Sequence, residues 1–210
     1  MRSCFGKMIA STCIGGMRLD DTSQKIVDAA MALVRDQGYM ATTTKEIAKT
    51  AGVNECTLFR KFRSKKEIIL QGVSQSEWRA NIPPELFEKV TWILEDDLKM
   101  FMRAYIGHMT PDFVNLSIGL RAPQIYQETA PYIRKVPETF LSALTVYFEK
   151  MAERGALPPA DFDALALIFF ASTFGYAFLR ASFQDTLSAV DTERYIENQT
   201  ALFLAKLVQT

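Results

Sequence analysis

Five cations, Arg60, Lys61, Arg63, Lys65 and Lys66, lie within TLFRKFRSKKE, the stretch from Thr57 to Glu67, interleaved with Leu58, Phe59 and Phe62. That combination suits phosphate, because each phosphate neutralised releases condensed counterions. Arginine adds bidentate pairing to guanine, and a glutamate such as Glu55 can accept from cytosine. On an arbitrary helix the same cations would be no more than solvated surface. Other chemistries find little to work with. The chain has a single histidine, His108, so a histidine metal centre or catalytic dyad has no basis. Cys4, Cys13 and Cys56 are odd in number and lack CxxC spacing, which supports neither a disulfide framework nor a zinc site. No cofactor and no metal are expected, and the thiols fit a reducing cytoplasm.

The charge balance sets the run in context. Net charge is zero over 210 residues, yet residues 1–80 hold 13 Lys+Arg against 8 Asp+Glu, and residues 81–210 hold 11 against 16. A basic head precedes an acidic body. Residues 1–21 are expected to be a flexible tail: Arg2 and Lys7 precede a weakly apolar run, but Ser11, Thr12, Gly15 and Gly16 interrupt it, so it makes a poor signal peptide. A start codon misassigned ahead of Met17 would leave the same pattern.

The elements that must carry the run can be read from their punctuation. After Ser23, the residues Ile26, Ala29, Ala30, Leu33 and Val34 recur at helical spacing, and Gly38 offers a left-handed stop. In TTTKEIAKTAGV, Thr43 and Glu46 form a capping box for a short helix that Gly52 ends. Asn54 can cap the next, from about Glu55 to Lys61, which buries Leu58 and Phe62. Ser64 with Glu67 makes a second capping box for a longer helix bearing Ile68, Ile69 and Val73. Two short helices across a Gly-Val-Asn turn make a helix-turn-helix. Ala48 lets them cross closely, and Glu55, Cys56, Phe59 and Arg60 are left facing outward. Lys65 and Lys66 sit at a helix N-terminus, where cations oppose the macrodipole and a negative partner would reverse the penalty.

The stretch GYMATTTKEIAKTAGVNECTLFRKFRSKKEIIL, from Gly38 to Leu70, resembles the TetR family of transcriptional regulators. With the preceding helix, the resemblance covers Thr22 to about Arg79. Cys56 stands where the family usually has Gly, and Phe59 where Tyr is common, so a phenol contact to phosphate would be missing. The resemblance implies that Lys65 grips the DNA backbone and that Phe59 packs on sugar or a thymine methyl. Thr43 and Thr57 carry hydroxyls near helix N-termini, where phosphate also binds. Asn54 joins them in the candidate set. Glu55 and Arg60 are the base-reading candidates, although Glu55 is equally a favourable first-turn acid. Lys45 and Lys61 either touch phosphates or simply solubilise the head. Cys56 reads as a small-residue replacement before it reads as a redox switch.

Beyond residue 80 the pattern is that of long helices. Glu85 to about Gly107 reads as one helix, and Pro111, Pro123, Pro131 and Pro137 divide the next stretch, with Pro137 opening a helix to about Arg154. Asp161 caps the helix after that. From Ala164 to Leu179 no charge occurs, and a soluble helix apolar all round must be buried all round. That length falls short of the ~20 residues of a membrane span. With the last helix it predicts a homodimer interface through Ala171, Gly175, Phe178, Tyr195 and Phe203. The resemblance implies the same dimer and an effector pocket in this region. Trp92, Phe101, Tyr105, His108, Phe113, Tyr126, Tyr147 and Phe174 are the pocket candidates, although most such aromatics are ordinary core and His108 suits a helix C-terminus.

The expectation is an all-α protein with a tail (1–21), a helix-turn-helix DNA-binding head (22–80) and a helical ligand-binding and dimerisation body (81–210). Its expected partners are a near-palindromic duplex operator, a second copy of the chain and a small apolar or aromatic effector. Repression relieved by that effector is the leading function. An architectural DNA-binding protein without an effector and, more remotely, an all-helical enzyme are the rivals.

Overall fold

The computed structural model describes residues 19–75 and 86–208, except for the side chains of 185 and 206–208. Of the tail read at residues 1–21, residues 1–18 lie outside the described residues, as does the proline break at Pro83–Pro84, whereas Asp20 and Asp21 already belong to the start of a helix. Among those described, every regular element is helical.

Helix α1 (Asp21–Ala41) starts earlier than its apolar periodicity suggests, because the Asp20 carboxylate accepts from the Ser23 amide at 2.8 Å. Gly38 has the expected positive φ, +81°, but it interrupts the helix and does not end it. One further turn comes after it, closed where the amide and hydroxyl of Thr42 both donate to the Gly38 carbonyl. Helix α2 (Thr44–Thr50) has the full Thr43–Glu46 capping box. Helix α3 (Glu55–Lys61) is capped by Asn54, whose Oδ1 accepts from the Thr57 amide at 2.7 Å. Helix α4 (Lys65–Ser74) is capped by Ser64. There the second capping box departs from expectation: the Glu67 carboxylate accepts from the Arg63 amide, one residue before the cap.

These helices close over Ile26, Val34, Ile47, Leu58, Phe62 and Ile68, all buried. Leu116, Leu120 and Ile125 complete the same core, contributed by helix α6 (Pro111–Gly119) and the turn after it. The chain thus divides into two compact units. Residues 111–135 group with the head, and residues 81–110 with 136–210 form the body. A boundary drawn at residue 80 misses this, because apolar residues in the second half of the chain carry no mark of which core they serve. Arg35 in α1 adds a polar tie to this segment, donating to Asp112 at 3.1 Å.

In the body, helix α5 (Leu94–His108) is shorter than the Glu85–Gly107 reading. The reason is Asp97, which is buried and folds the preceding chain over itself. It accepts from the Thr91 amide and hydroxyl (2.7 and 2.9 Å), the Trp92 amide (2.9 Å) and the Tyr147 hydroxyl (2.9 Å). A helix running through these residues would have its amides engaged elsewhere. Helix α7 (Tyr126–Glu153) corrects a second expectation, since it continues through both Pro131 and Pro137. Each proline removes a helical donor and crowds the preceding turn, at a cost of ~3 kcal/mol. Burial of Phe140, Ala143, Leu144, Tyr147, Phe148 and Met151 along the same helix offsets that cost.

Helix α8 (Phe162–Phe183) and helix α9 (Thr192–Val208) complete the body. α8 has 22 residues, not the 16 of its uncharged centre, and is long and apolar enough to cross a membrane by length and composition alone. Its inner side, Ala166, Phe169, Phe170, Thr173, Ala177 and Ala181, is buried. The core it joins is aromatic: Phe101 meets Tyr147 edge-on at 5.0 Å, Tyr105 meets Phe170 at 5.2 Å, and Phe169 meets Phe203 at 5.3 Å.

Two glycines in the head separate hard from soft contacts. A Cβ on Gly119 would lie 2.6 Å from the Val34 carbonyl oxygen, whereas one on Gly72 would meet the flexible Met31 thioether at 2.5 Å. Gly119→Ala is expected to destabilise the protein by about 1–3 kcal/mol in urea unfolding, since backbone cannot yield as a side chain can. Gly72→Ala should cost distinctly less.

Candidate nucleic-acid interface

The recognition surface rests on how α2 and α3 meet. Gly52 turns the chain at φ +70°, the Val53 amide donates back to the Ala48 carbonyl at 2.9 Å, and Ala48 is buried. Leu58 faces inward, so Glu55, Cys56, Phe59 and Arg60 occupy the outer side of α3. Phe59 leaves 52% of its surface in water. Thr44 donates its hydroxyl to the Glu55 carboxylate at 3.1 Å and so holds that acid from the neighbouring helix. Sequence reasoning missed Thr44, because nothing local ties it to a residue eleven positions away.

The five cations of the run do not behave alike. Lys61 pairs with Asp20 and Lys66 with Glu128. Lys65 donates to the carbonyls of Tyr39 (2.7 Å) and Thr42 (2.6 Å) and lies 4.0 Å from the Tyr39 ring centre. It therefore caps the end of α1, and its partial burial pulls its pKa below the ordinary lysine value. One of its three protons is left for a phosphate. Arg60 and Arg63 are exposed, and among the described residues neither guanidinium pairs with a carboxylate. Of the five, the sequence-based site omitted Arg63 and Lys66.

Among the remaining candidates, Lys45 and Thr43 are exposed and Thr57 is half-buried. Thr43 is engaged by its capping box, in which the Glu46 carboxyl is held below its ordinary range by the Thr43 hydroxyl and amide. The Asn54 side chain is occupied by its cap. Cys56 is a free, exposed thiol.

Among the described residues, the effector candidates are spread over both units. Phe101, Tyr105 and Tyr147 are packed solidly in the body core, and burial pushes the Tyr105 and Tyr147 hydroxyls well above the usual phenol range. Trp92 stacks beside Tyr147, Phe174 is partly exposed next to Phe170, and His108 is exposed at the end of α5. Phe113 and Tyr126 belong to the head unit. The body carries an open groove of about 450 Å³ beside Leu141, Thr145, Glu149, Asp163 and Leu167. A second, of about 240 Å³, lies beside Tyr176, Leu179, Arg180 and Tyr195. None of the eight candidates lines either groove.

The dimer candidates differ in exposure. Phe203 is buried against Phe148 and Phe169, and Tyr195 stacks on Tyr176 at 3.9 Å. Both belong to the chain's own core. The helix rotates about 100° per residue, so Leu202 points outward instead, 72% exposed. On α8, Leu167 (54%), Ile168 (61%), Ala171 and Leu179 form the outward stripe. Gly175 and Phe178 lie at its margin, half-buried.

Comparison with known proteins identifies the family. The N-terminal signature of the bacterial regulatory proteins of the tetR family matches residues 26–71, and the C-terminal domain of AefR-like transcriptional repressors matches 114–206. The helix-turn-helix-type transcriptional regulator YvkB of Bacillus subtilis is 31% identical over 184 residues, covering 87% of this chain and 95% of YvkB. The chain belongs to the TetR family. IcaR of Staphylococcus aureus, a negative transcriptional regulator of the biofilm operon icaADBC, is 24% identical over 173 residues, 81% of this chain and 89% of IcaR. FadR of Bacillus subtilis, solved in complex with stearoyl-CoA, shares the fold with a TM-score of 0.63 at 18% identity, covering 88% and 98% of the two chains. TetR-family proteins are transcriptional regulators and not enzymes, and they bind DNA as dimers.

Asp20 offers a pH test of the head's internal pairing. The hydrogen bond from Lys61, then that from the Ser23 amide, hold its carboxyl at about 2 against an ordinary 3.8. The unfolded chain therefore binds the proton first: the stabilisation is complete above pH 3.8 and is lost as pH falls through about 2. A carboxyl titration tracked by nuclear magnetic resonance should find the midpoint near 2, moving toward 3.8 in Lys61→Ala. Lys65→Ala should cost about 1–3 kcal/mol in unfolding experiments by stranding two carbonyls, whereas Arg63→Ala should stay within about 0.5 kcal/mol.

Proposed function

We propose that this TetR-family regulator is a homodimeric cytoplasmic repressor that leaves its operator when a small apolar or aromatic molecule binds its body. The observation that carries the reading is the outer face of α3. It presents Glu55, Phe59 and Arg60 from a helix whose N-terminus is capped, with Arg63 directly beyond.

Within that reading, Arg60 pairs bidentately with guanine, and Glu55, held by Thr44, accepts from cytosine. Phe59 packs on sugar or a thymine methyl. Arg63, Lys45, the hydroxyl of Thr57 and the remaining proton of Lys65 meet phosphates and fix the register. Two heads related by two-fold symmetry would read successive major grooves of a near-palindromic site. The outward stripe of α8 and Leu202 of α9 supply an apolar face for the partner subunit. Repression draws support from the match to AefR-like repressors and from IcaR's described role. An effector draws support from the stearoyl-CoA bound to FadR. An effector shifts DNA affinity only by its own preference for one body conformation. A DNA-binding protein without an effector is the second reading, favoured by the closed packing around Phe101 and Tyr147.

Fluorescence anisotropy with DNA flanking the protein's own gene tests the main reading. Binding should prefer that sequence and weaken steeply between about 50 and 200 mM salt. Arg60→Ala should lose roughly 1–3 kcal/mol on the preferred site and little on random DNA. Arg63→Ala should weaken both alike and reduce the salt slope by about one. In sedimentation, Ile168→Glu and Leu202→Glu should shift the dimer to monomer; a dimer unaffected by both would place the interface elsewhere.

A further inference from the structure

Trp92 has a φ of +66°, a conformation that side-chain-bearing residues avoid and glycine adopts freely. The turn's backbone does not need an indole. Asp97 holds it by accepting the amides of Thr91 and Trp92, and glycine would satisfy the same bonds without strain. What requires tryptophan is the place its ring fills. The indole lies 6.0 Å from the Tyr147 ring, inclined by only 15°, and the Arg154 guanidinium sits 3.9 Å from the indole centre. Arg154 is exposed, and among the described residues no ion pair with a carboxylate engages it. The indole thus lies against a nearly parallel phenol ring and under a planar cation, and the protein holds it there at the cost of a strained residue. Strain of this kind persists where the surroundings over-determine it, and it gathers at ligand clamps.

We propose that the Trp92 indole is the resident occupant of a ligand subsite, and that a planar aromatic molecule of about indole size takes its place beside Tyr147 and Arg154. This deepens the effector reading above and rests on it. The exchange needs no backbone opening: the side chain turns about its own torsions while Asp97 keeps both amides. Guanidinium attracts the face of an aromatic ring and stacks on it, which an alkyl chain cannot match. An acidic substituent on the ligand's edge would add attraction to Arg154. The subsite thus selects flat aromatic acids over aliphatic acids of similar apolar area.

Calorimetric titration with naphthoate and decanoate tests this on the full-length protein, its Trp92→Gly variant and its Arg154→Ala variant. Glycine is chosen because it suits the positive φ and leaves the Asp97 bonds in place. Wild type should bind naphthoate saturably, Trp92→Gly should bind it about tenfold tighter or more, and Arg154→Ala about tenfold weaker. Decanoate should respond to neither substitution. A tryptophan that merely covers the core predicts otherwise: Trp92→Gly would lower the melting temperature and gain no naphthoate affinity, and that result overturns the proposal. So does an unchanged affinity in Arg154→Ala, or decanoate showing the same pattern. If the glycine variant does not fold, Arg154→Ala carries the test alone. DNA anisotropy beside the titration separates the two readings. Release of DNA by decanoate, with naphthoate unbound, sinks the subsite and leaves the effector reading standing. Naphthoate binding in the expected pattern without any change in DNA affinity does the reverse.

Discussion

A helix of seven residues cannot satisfy itself. Its first four amides and last four carbonyls lie beyond the reach of its own ladder, and nucleation leaves so short a segment marginal in water. Both helices of the DNA-reading motif are of this length, so their existence depends on groups supplied from outside them. Thr43 and Glu46 serve one N-terminus, and Asn54 serves the other. Lys65 serves the end of α1 from across the head, through two carbonyls at once. The presentation of Phe59 and Arg60 is thus a consequence of capping more than of core packing. Only Leu58 within α3 is fully buried.

The body solves a different problem. Its core is built from rings that meet edge-on or tilted, an arrangement that fills space without polar partners. Asp97 is a carboxylate buried among those rings and satisfied by two amides and two hydroxyls. One polar group therefore decides where α5 begins, how the Thr91–Trp92 turn is held and where Tyr147 points. α8 adds an asymmetry of its own, with one side in the core and an equally apolar side facing out.

What was legible in the chain was what is local. Caps at Thr43, Asn54, Ser64 and Asp161 can be read because partner and cap lie within three residues of each other. The same holds for the positive φ at Gly38 and Gly52 and for the outward set on α3. The illegible features were long-range. The Thr44–Glu55 bond and the Lys66–Glu128 pair join residues whose proximity only the fold creates. α7 crosses two prolines because burial overrides a local rule, and α5 is cut short by a carboxylate inside it. Phe203 and Leu202 are neighbours in the chain with opposite fates, and composition cannot say which of the two an apolar helix turns inward. The aromatic candidates were divided between the two units for the same reason.

The ion pairs at Lys61 and Lys66 have a consequence for how such a protein can diverge. Their acidic partners, Asp20 and Glu128, lie off the recognition helix, yet they determine how much of the run's positive charge reaches solvent. Exchanging either acid for a neutral residue would strengthen the head's field while leaving the outer face of α3 as it was. The charge that the head shows to solvent and the side chains that α3 displays are thus set at separate positions, and mutation can adjust one without exchanging the other.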